Sequence, residues 1–296
     1  MSQVKALPPR RYLGLELSGA KNQKTALAAL QFYPRERKIF LLDIYDRISS
    51  EENQTSDEAL LELIHEAGEK DATLAVNVPL ELPPCLLCDR KHASRSHRCG
   101  LPAVKWMNEA TRKAARSRVV KVKDFTPYTQ RPVELHMRYH VLPELKDAPG
   151  FEVDETLGGN KAPLTARMHY LKRQLTRYPL LEVWPKLTVA LLGPQLGISR
   201  KTIASYRHLE QGAHARTEIV ESLAERHGLF IYERDVRKLS NSLAAFDAFL
   251  CAYTALLSDL GQCARPPAGF PVASGWVTYP LKQVRMGQHG SERGER

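Results

Sequence analysis

The chain has 296 residues, with 43 Lys+Arg against 33 Asp+Glu, a formal net charge of +10 and a sequence pI near 9.4. Hydrophobic residues make up 43% and charged residues 26%, which is ordinary globular usage and argues against a disordered chain. No apolar run approaches the roughly 18 residues of a membrane helix, and Met1 to Arg11 lacks an apolar signal segment. A soluble, cytoplasmic protein of one large domain or two ordinary ones is expected.

In chain order, Arg10 to Leu17 alternates Leu13, Leu15 and Leu17 with smaller or polar positions, a period of two that predicts a strand. Thr25 to Tyr33 and Lys38 to Ile48 are two further apolar runs separated by short turns, so the three read as an antiparallel meander. Ser56 is placed to cap a helix carrying Leu60, Leu61, Ile64 and Ala67 on one face. Ala72 to Val78 is a buried fourth strand ended by Pro79. Regular alternation then stops from Pro83 to about Gly150, an insertion rich in Pro, Cys, His and basic residues, with a helix near Ala103 to Val119. Beyond it the pattern predicts a helix near Leu164 to Tyr178, a fifth strand at Leu180 to Trp184, and helical pieces from Lys186 to His227. A long helix over about Val236 to Leu260 and a final strand near Trp276 to Tyr279 complete the chain. The expected layout is an N-terminal extension (1–10), a domain over 11–281 with the insertion at 83–150, and a disordered polar tail over 282–296.

The basic excess is local. From Arg90 to Lys123 there are eleven Lys/Arg (Arg90, Lys91, Arg95, Arg98, Lys105, Arg112, Lys113, Arg116, Arg118, Lys121, Lys123) and one acid, Glu109. Such a stretch concentrates polyanions nearby, so nucleic acid is the expected partner, with Lys105, Arg112, Lys113, Arg116, Arg118, Lys121 and Lys123 along its backbone; a solvated helix face would carry the same charges. Three of the five cysteines fall in the same insertion. Cys85 and Cys88 have the Cys-x2-Cys spacing that lets one tight turn present two thiolates to a tetrahedral ion, and Cys99 with His92 or His97 would complete a structural zinc site. Neighbouring Lys and Arg are expected to favour the thiolates.

Three acids sit where a sheet would bring them together, and two of them, Glu182 and Asp247, stand in apolar contexts where an acid is costly. Glu16 lies near the end of the first strand, Glu182 inside the apolar Leu180 to Trp184, and Asp247 within SLAAFDAFLCAY. Acids in apolar contexts must be hydrogen-bonded, paired with a cationic side chain or bound to a cation, and two together suggest a divalent-metal site.

The set YLGLELSGAKNQKT, LAVNVPLELP, LLEVWPK, AAFDAFLCAYTALL and SGWVTYP, in this order and spacing, resembles a domain-of-unknown-function family of predicted bacterial and archaeal nucleases. The resemblance spans roughly Arg11 to Leu281. It implies an α/β, ribonuclease H-like fold: a mixed five-stranded sheet in the order β-β-β-α-β-α-β-α, here with the Cys/His-containing basic insertion. It also implies catalytic positions at Glu16, Asn77, Glu182 and Asp247, with Glu16, Glu182 and Asp247 as Mg²⁺ or Mn²⁺ ligands and in-line phosphodiester hydrolysis as the chemistry. The first position is usually Asp in that family, and Glu here reaches one methylene further. The second is also usually Asp, and Asn77 removes a charge, which would weaken a two-metal site.

Two alternatives follow from the same residues. One is a catalytically weak nucleic-acid-binding module resting on the insertion. The other is a nucleotide-dependent phosphotransferase on the related actin-like and sugar-kinase fold, for which Leu17-Ser18-Gly19 and Gly158-Gly159 would be the phosphate loops. Gln195 to Tyr206 matches a helix-turn-helix core, but Pro194 is expected to interrupt its first helix.

Overall fold

The computed structural model describes residues 8–19, 25–50, 53–69, 71–89, 99–117, 122, 124–145, 151–208 and 211–286. The first three strands form where the period-two pattern puts them: β1 (Arg10–Glu16), β2 (Thr25–Tyr33) and β3 (Lys38–Ile48) make an antiparallel meander. Helix α1 (Ser56–Gly68) is capped one residue earlier than expected, by Thr55 and not Ser56. Thr55 accepts from Glu58 N at 3.3 Å while Thr55 N donates to Glu58 Oε2 at 2.8 Å, a reciprocal capping box. Strand β4 (Thr73–Val76) then returns to lie parallel beside β1.

Helices α2 (Pro102–Ser117) and α3 (Pro132–His136) belong to the insertion, and α3 runs directly into a π-helical turn at Met137–Val141. After them come α4 (Lys161–Leu171), β5 (Leu180–Val183), α5 (Pro185–Gln195), α6 (Arg200–Ser205) and α7 (Gly212–His227). The chain closes with β6 (Leu229–Phe230), α8 (Glu233–Asn241), α9 (Leu243–Asp259) and β7 (Val277–Thr278). Pro194 sits in the last turn of α5, where it interrupts nothing that follows.

The sheet is mixed and has seven strands, not five, in the order β6-β3-β2-β1-β4-β5-β7. The two additions, β6 and β7, are two residues each and pair parallel to β3 and β5 at the two edges; strands that short carry no readable period. The long C-terminal helix is also two helices, α8 and α9, bent by 113°. Ser242 makes the break by leaving helical geometry and accepting from Ala245 N at 3.2 Å, which caps α9. The described part of the expected tail, residues 282–286, is held by side chains of the domain. Val284 N donates to Gln195 Oε1 at 2.7 Å, Arg285 N donates to Gln262 Oε1 at 2.9 Å, and Lys282 pairs with Glu144 at 2.8 Å; residues 287–296 lie outside the described set.

Alternation sorts the strand side chains into two cores. Leu13, Leu15, Leu27, Leu74 and Val76 face α1 and α4, packing with Leu60, Ile64, Met168 and Leu171. Tyr12, Ala28, Leu30, Ala75 and Val183 face the other way, against Phe246, Phe249, Leu250 and Tyr253 of α9. The result is a three-layer helix–sheet–helix sandwich. Gly14 sets its central contact. A Cβ there would lie 2.0 Å from Ala248 O and 2.3 Å from Ala252 N, so the absence of a side chain is what lets α9 lie directly on β1. Among the described residues no single helix is long and apolar enough to cross a membrane.

Candidate active site

Strand β1 stands between β2, which leads the chain to one side of the sheet, and β4, where the chain resumes on the other. In open α/β sheets, ligands bind outside the carboxyl ends of the parallel strands at such a reversal. Glu16 is the last residue of β1 and Asn77 the first after β4. Asn77 N continues the ladder to Leu15 O at 3.0 Å, and the Asn77 side-chain Nδ2 donates to Glu16 Oε2 at 2.6 Å. Because α9 rests on Gly14, Asp247 in its second turn is delivered to the neighbourhood of Glu16. Three of the four expected site residues are therefore brought together.

The two carboxyls feel each other. Burial, and then the charge of Asp247, push the pKa of Glu16 up to about 8 against an ordinary 4.5; Lys161, the Asn77 hydrogen bond and Arg207 oppose this in part. Asp247 is 1% exposed, and burial raises its pKa despite Arg207, Lys161 and Arg216 nearby. Its two oxygens differ. Oδ2 accepts from Arg207 at 2.6 Å, whereas Oδ1 is buried with no hydrogen-bond partner. Lys161, at the first position of α4, donates to Asn77 O at 3.3 Å. Lys161, Arg207 and Arg216 thus frame the pair with positive charge. Sequence reasoning missed all three, since a single cation carries no pattern of its own.

Glu182 does not join them. Val76 is opposite Leu15 on one side and Glu182 on the other, and in-register parallel neighbours point to the same face. Glu182 therefore shares the face of Leu15 and Val76, opposite to that of Glu16 and Asn77. There it is 1% exposed and held by Arg131, whose Nη1 and Nη2 donate to Glu182 Oε2 and Oε1 at 2.8 and 2.7 Å. Leu80 N and Trp184 Nε1 add donors at 3.0 and 3.3 Å. Arg131, fully buried, also donates from Nε to Glu134 at 3.0 Å. The apolar context of Glu182, expected to be a metal ligand, is met in this structure by an ion-pair network with Arg131.

In the insertion, Cys85 and Cys88 are half-buried and Cys99 is buried. Burial, then Cys99 and Cys88, raise the pKa of Cys85, so the three thiols share a neighbourhood; Arg90, Lys91, Arg95 and Arg98, expected to favour the thiolates, lie outside the described residues. His92 and His97 lie outside the described residues. Among those described, no group of three or more His, Cys, Asp or Glu is placed to hold a metal ion. Helix α2 buries Ala103, Val104, Met107, Ala110 and Ala114 and exposes Lys105, Arg112, Lys113 and Arg116, a basic stripe at helical spacing. Lys113 is partly neutralised by Glu109 at 2.7 Å. Arg118, Lys121 and Lys123 lie outside the described residues.

Comparison with known proteins places residues 22–271 on the model of a family described as protein of unknown function (DUF429). The match covers most of the chain, which belongs to that family. No curated protein and no solved structure is significantly similar to it.

Proposed function

We propose that the chain is a nucleic-acid phosphodiesterase that works with one divalent cation, Mg²⁺ or Mn²⁺, held by Glu16 and Asp247. The observation that carries this reading is the pair itself: two mutually repelling carboxyls, one at the end of β1 and one on α9, with Asp247 Oδ1 buried and unpartnered. A hard cation satisfies that oxygen and removes the repulsion at once. The donor set suits one ion and not two, because Glu182 faces the other side of the sheet and Asn77 is neutral. When bound, the ion supplies activation of water and stabilisation of the leaving oxygen.

The chain's own residues do the rest. Asn77 fixes the Glu16 carboxylate through its 2.6 Å hydrogen bond. Arg207, 44% exposed along its side chain, turns from Asp247 to a phosphate oxygen, for which a guanidinium fork is suited. Lys161 adds a point charge beside it. The element order β-β-β-α-β-α-β-α within the larger sheet is compatible with a ribonuclease H-like nuclease.

One observation favours the second reading, a binding module without cleavage: Arg207 already neutralises Asp247 at 2.6 Å without any cation. The test is cleavage of labelled single- and double-stranded DNA and RNA with Mn²⁺, Mg²⁺ or EDTA, by wild type and Asp247→Asn. Metal-dependent cleavage that the variant loses supports the enzyme. Salt-sensitive binding with no cleavage by either leaves the binder, and neither cleavage nor binding removes both readings.

A further inference from the structure

A cavity of about 470 Å³ opens beside α2, lined by Trp106, Ala110, Lys113, His136, His140 and Gly269 among others. Its size falls within the range of roughly 300–1,000 Å³ of small-molecule sites. Its walls are aromatic and braced. Trp106 meets Phe270 edge to face with centroids 5.1 Å apart, and His136 lies 5.2 Å from both His140 and Trp276.

The cavity also has an unmet polar demand. His136 is 8% exposed, its Nδ1 is buried without a hydrogen-bond partner, and its Nε2 has only Tyr279 Oη at 3.5 Å. Burial, then the neighbouring His140, push its pKa down to about 4, so the ring is neutral at physiological pH and offers one donor and one acceptor. A half-turn about χ2 carries the unpaired nitrogen to the opposite ring edge. The histidine stands where α3 widens into the π-helical turn Met137–Val141, a distortion that recurs at functional sites.

We propose that this cavity binds one heteroaromatic nucleobase, presented as a free nucleotide or as an unstacked base of a strand. A hydrocarbon would leave the His136 nitrogen unpaired, whereas a base edge carries donors and acceptors for it. The π-faces of Trp106 and His140 offer stacking to any base. Glu109 also lines the cavity and pairs with Lys113 at its rim, so the positive field for the attached phosphates comes from Lys105, Arg112 and Arg116, exposed along the same helix. The inference rests on the nucleic-acid reading only for the strand as the source of the base.

The experiment measures affinity in EDTA for AMP and UMP by calorimetry, and for labelled ten-nucleotide strands, base-bearing or abasic, by fluorescence anisotropy. Wild type is compared with Ala110→Leu, which fills the cavity, and with Trp106→Ala, each checked for folding by thermal melts. Wild type is expected to prefer base-bearing over abasic strands by roughly tenfold, and both variants to lose that preference while keeping abasic affinity. Saturable AMP or UMP binding assigns the cavity to a free nucleotide; a preference seen only with strands assigns it to a strand's base. Equal wild-type affinity for both strands with no nucleotide binding overturns the proposal without reference to any variant. So does a preference that survives in a folded Ala110→Leu protein. Cleavage assayed in parallel with Mn²⁺ separates this outcome from that of the phosphodiesterase reading.

Discussion

Asp247 and Glu182 are both buried acids of apolar segments, yet their surroundings give them opposite fates. Glu182 meets the fork of Arg131, so Glu182→Ala leaves a fully buried guanidinium short of its main partner. Its expected cost is about 3–5 kcal/mol of stability, read as a large downward shift in denaturant midpoint. A Glu182→Ala protein as stable as wild type would show the network to be ornamental. Glu16 behaves differently because its proton is bound more tightly in the folded chain. With a folded pKa of about 8 against 4.5, its contribution to stability is complete below about pH 4.5 and is lost as pH rises through 8. Without divalent cations the melting temperature is therefore expected to fall by roughly 5 °C between pH 5.5 and 8.5. Glu16→Gln flattens that slope, and Mn²⁺ restores wild type most at the higher pH. A melting temperature that rises over this range would contradict the raised carboxyl.

At the scale of elements, the chain makes its site by laying α9 on β1, and Gly14 is the residue that permits it. Gly14→Ala places a methyl against backbone atoms at 2.0 and 2.3 Å, which no rotamer change can relieve. The expected loss is about 3 kcal/mol or more, together with the Glu16–Asp247 pairing, and circular dichroism melts with Mn²⁺ titration would follow both. A melt and a Mn²⁺ affinity both unchanged would mean that α9 does not sit on Gly14. The elements that frame this contact were legible in the sequence because their periods are long enough to read: seven to eleven residues for β1 to β3, and thirteen with a capping box for α1. The four residues of β4, three of them apolar, were legible through Pro79 after them. What escaped the sequence was short or depended on pairing. Strands β6 and β7 have two residues each, and the break at Ser242 lies between two stretches that are both helical. The face of Glu182 follows from the register of β4 against β5, which no local pattern encodes. Glu16 and Asp247 could be found from a strand end and an acid in an apolar helix, and Asn77 only through the family resemblance, whereas Lys161 and Arg207 are single cations whose position only the tertiary packing defines.

For the whole molecule, the net charge of +10 acts where it is concentrated. Lys105, Arg112 and Arg116 recur at seven and four residues along α2, which puts them on one exposed stripe, and their backing by Met107, Ala110 and Ala114 fixes that stripe to the core. If nucleic acid lies along it, each phosphate neutralised releases counterions, and affinity falls with salt in proportion. Replacing Arg112 and Arg116 with Ala is then expected to weaken binding uniformly across sequences. The slope of log K against log salt should shrink by roughly one for each phosphate that is no longer neutralised. Because these side chains are exposed, the double variant should keep the wild-type melting temperature. The Glu16–Asp247 site lies on other elements, so residual cleavage at saturating substrate should also be retained. The effect therefore belongs in KM and not in kcat, since the stripe holds substrate and transition state alike. A double variant with an unchanged salt slope would assign the basic field to solvation alone. One with a lowered kcat and an unchanged KM would place the stripe's influence at the carboxylates instead.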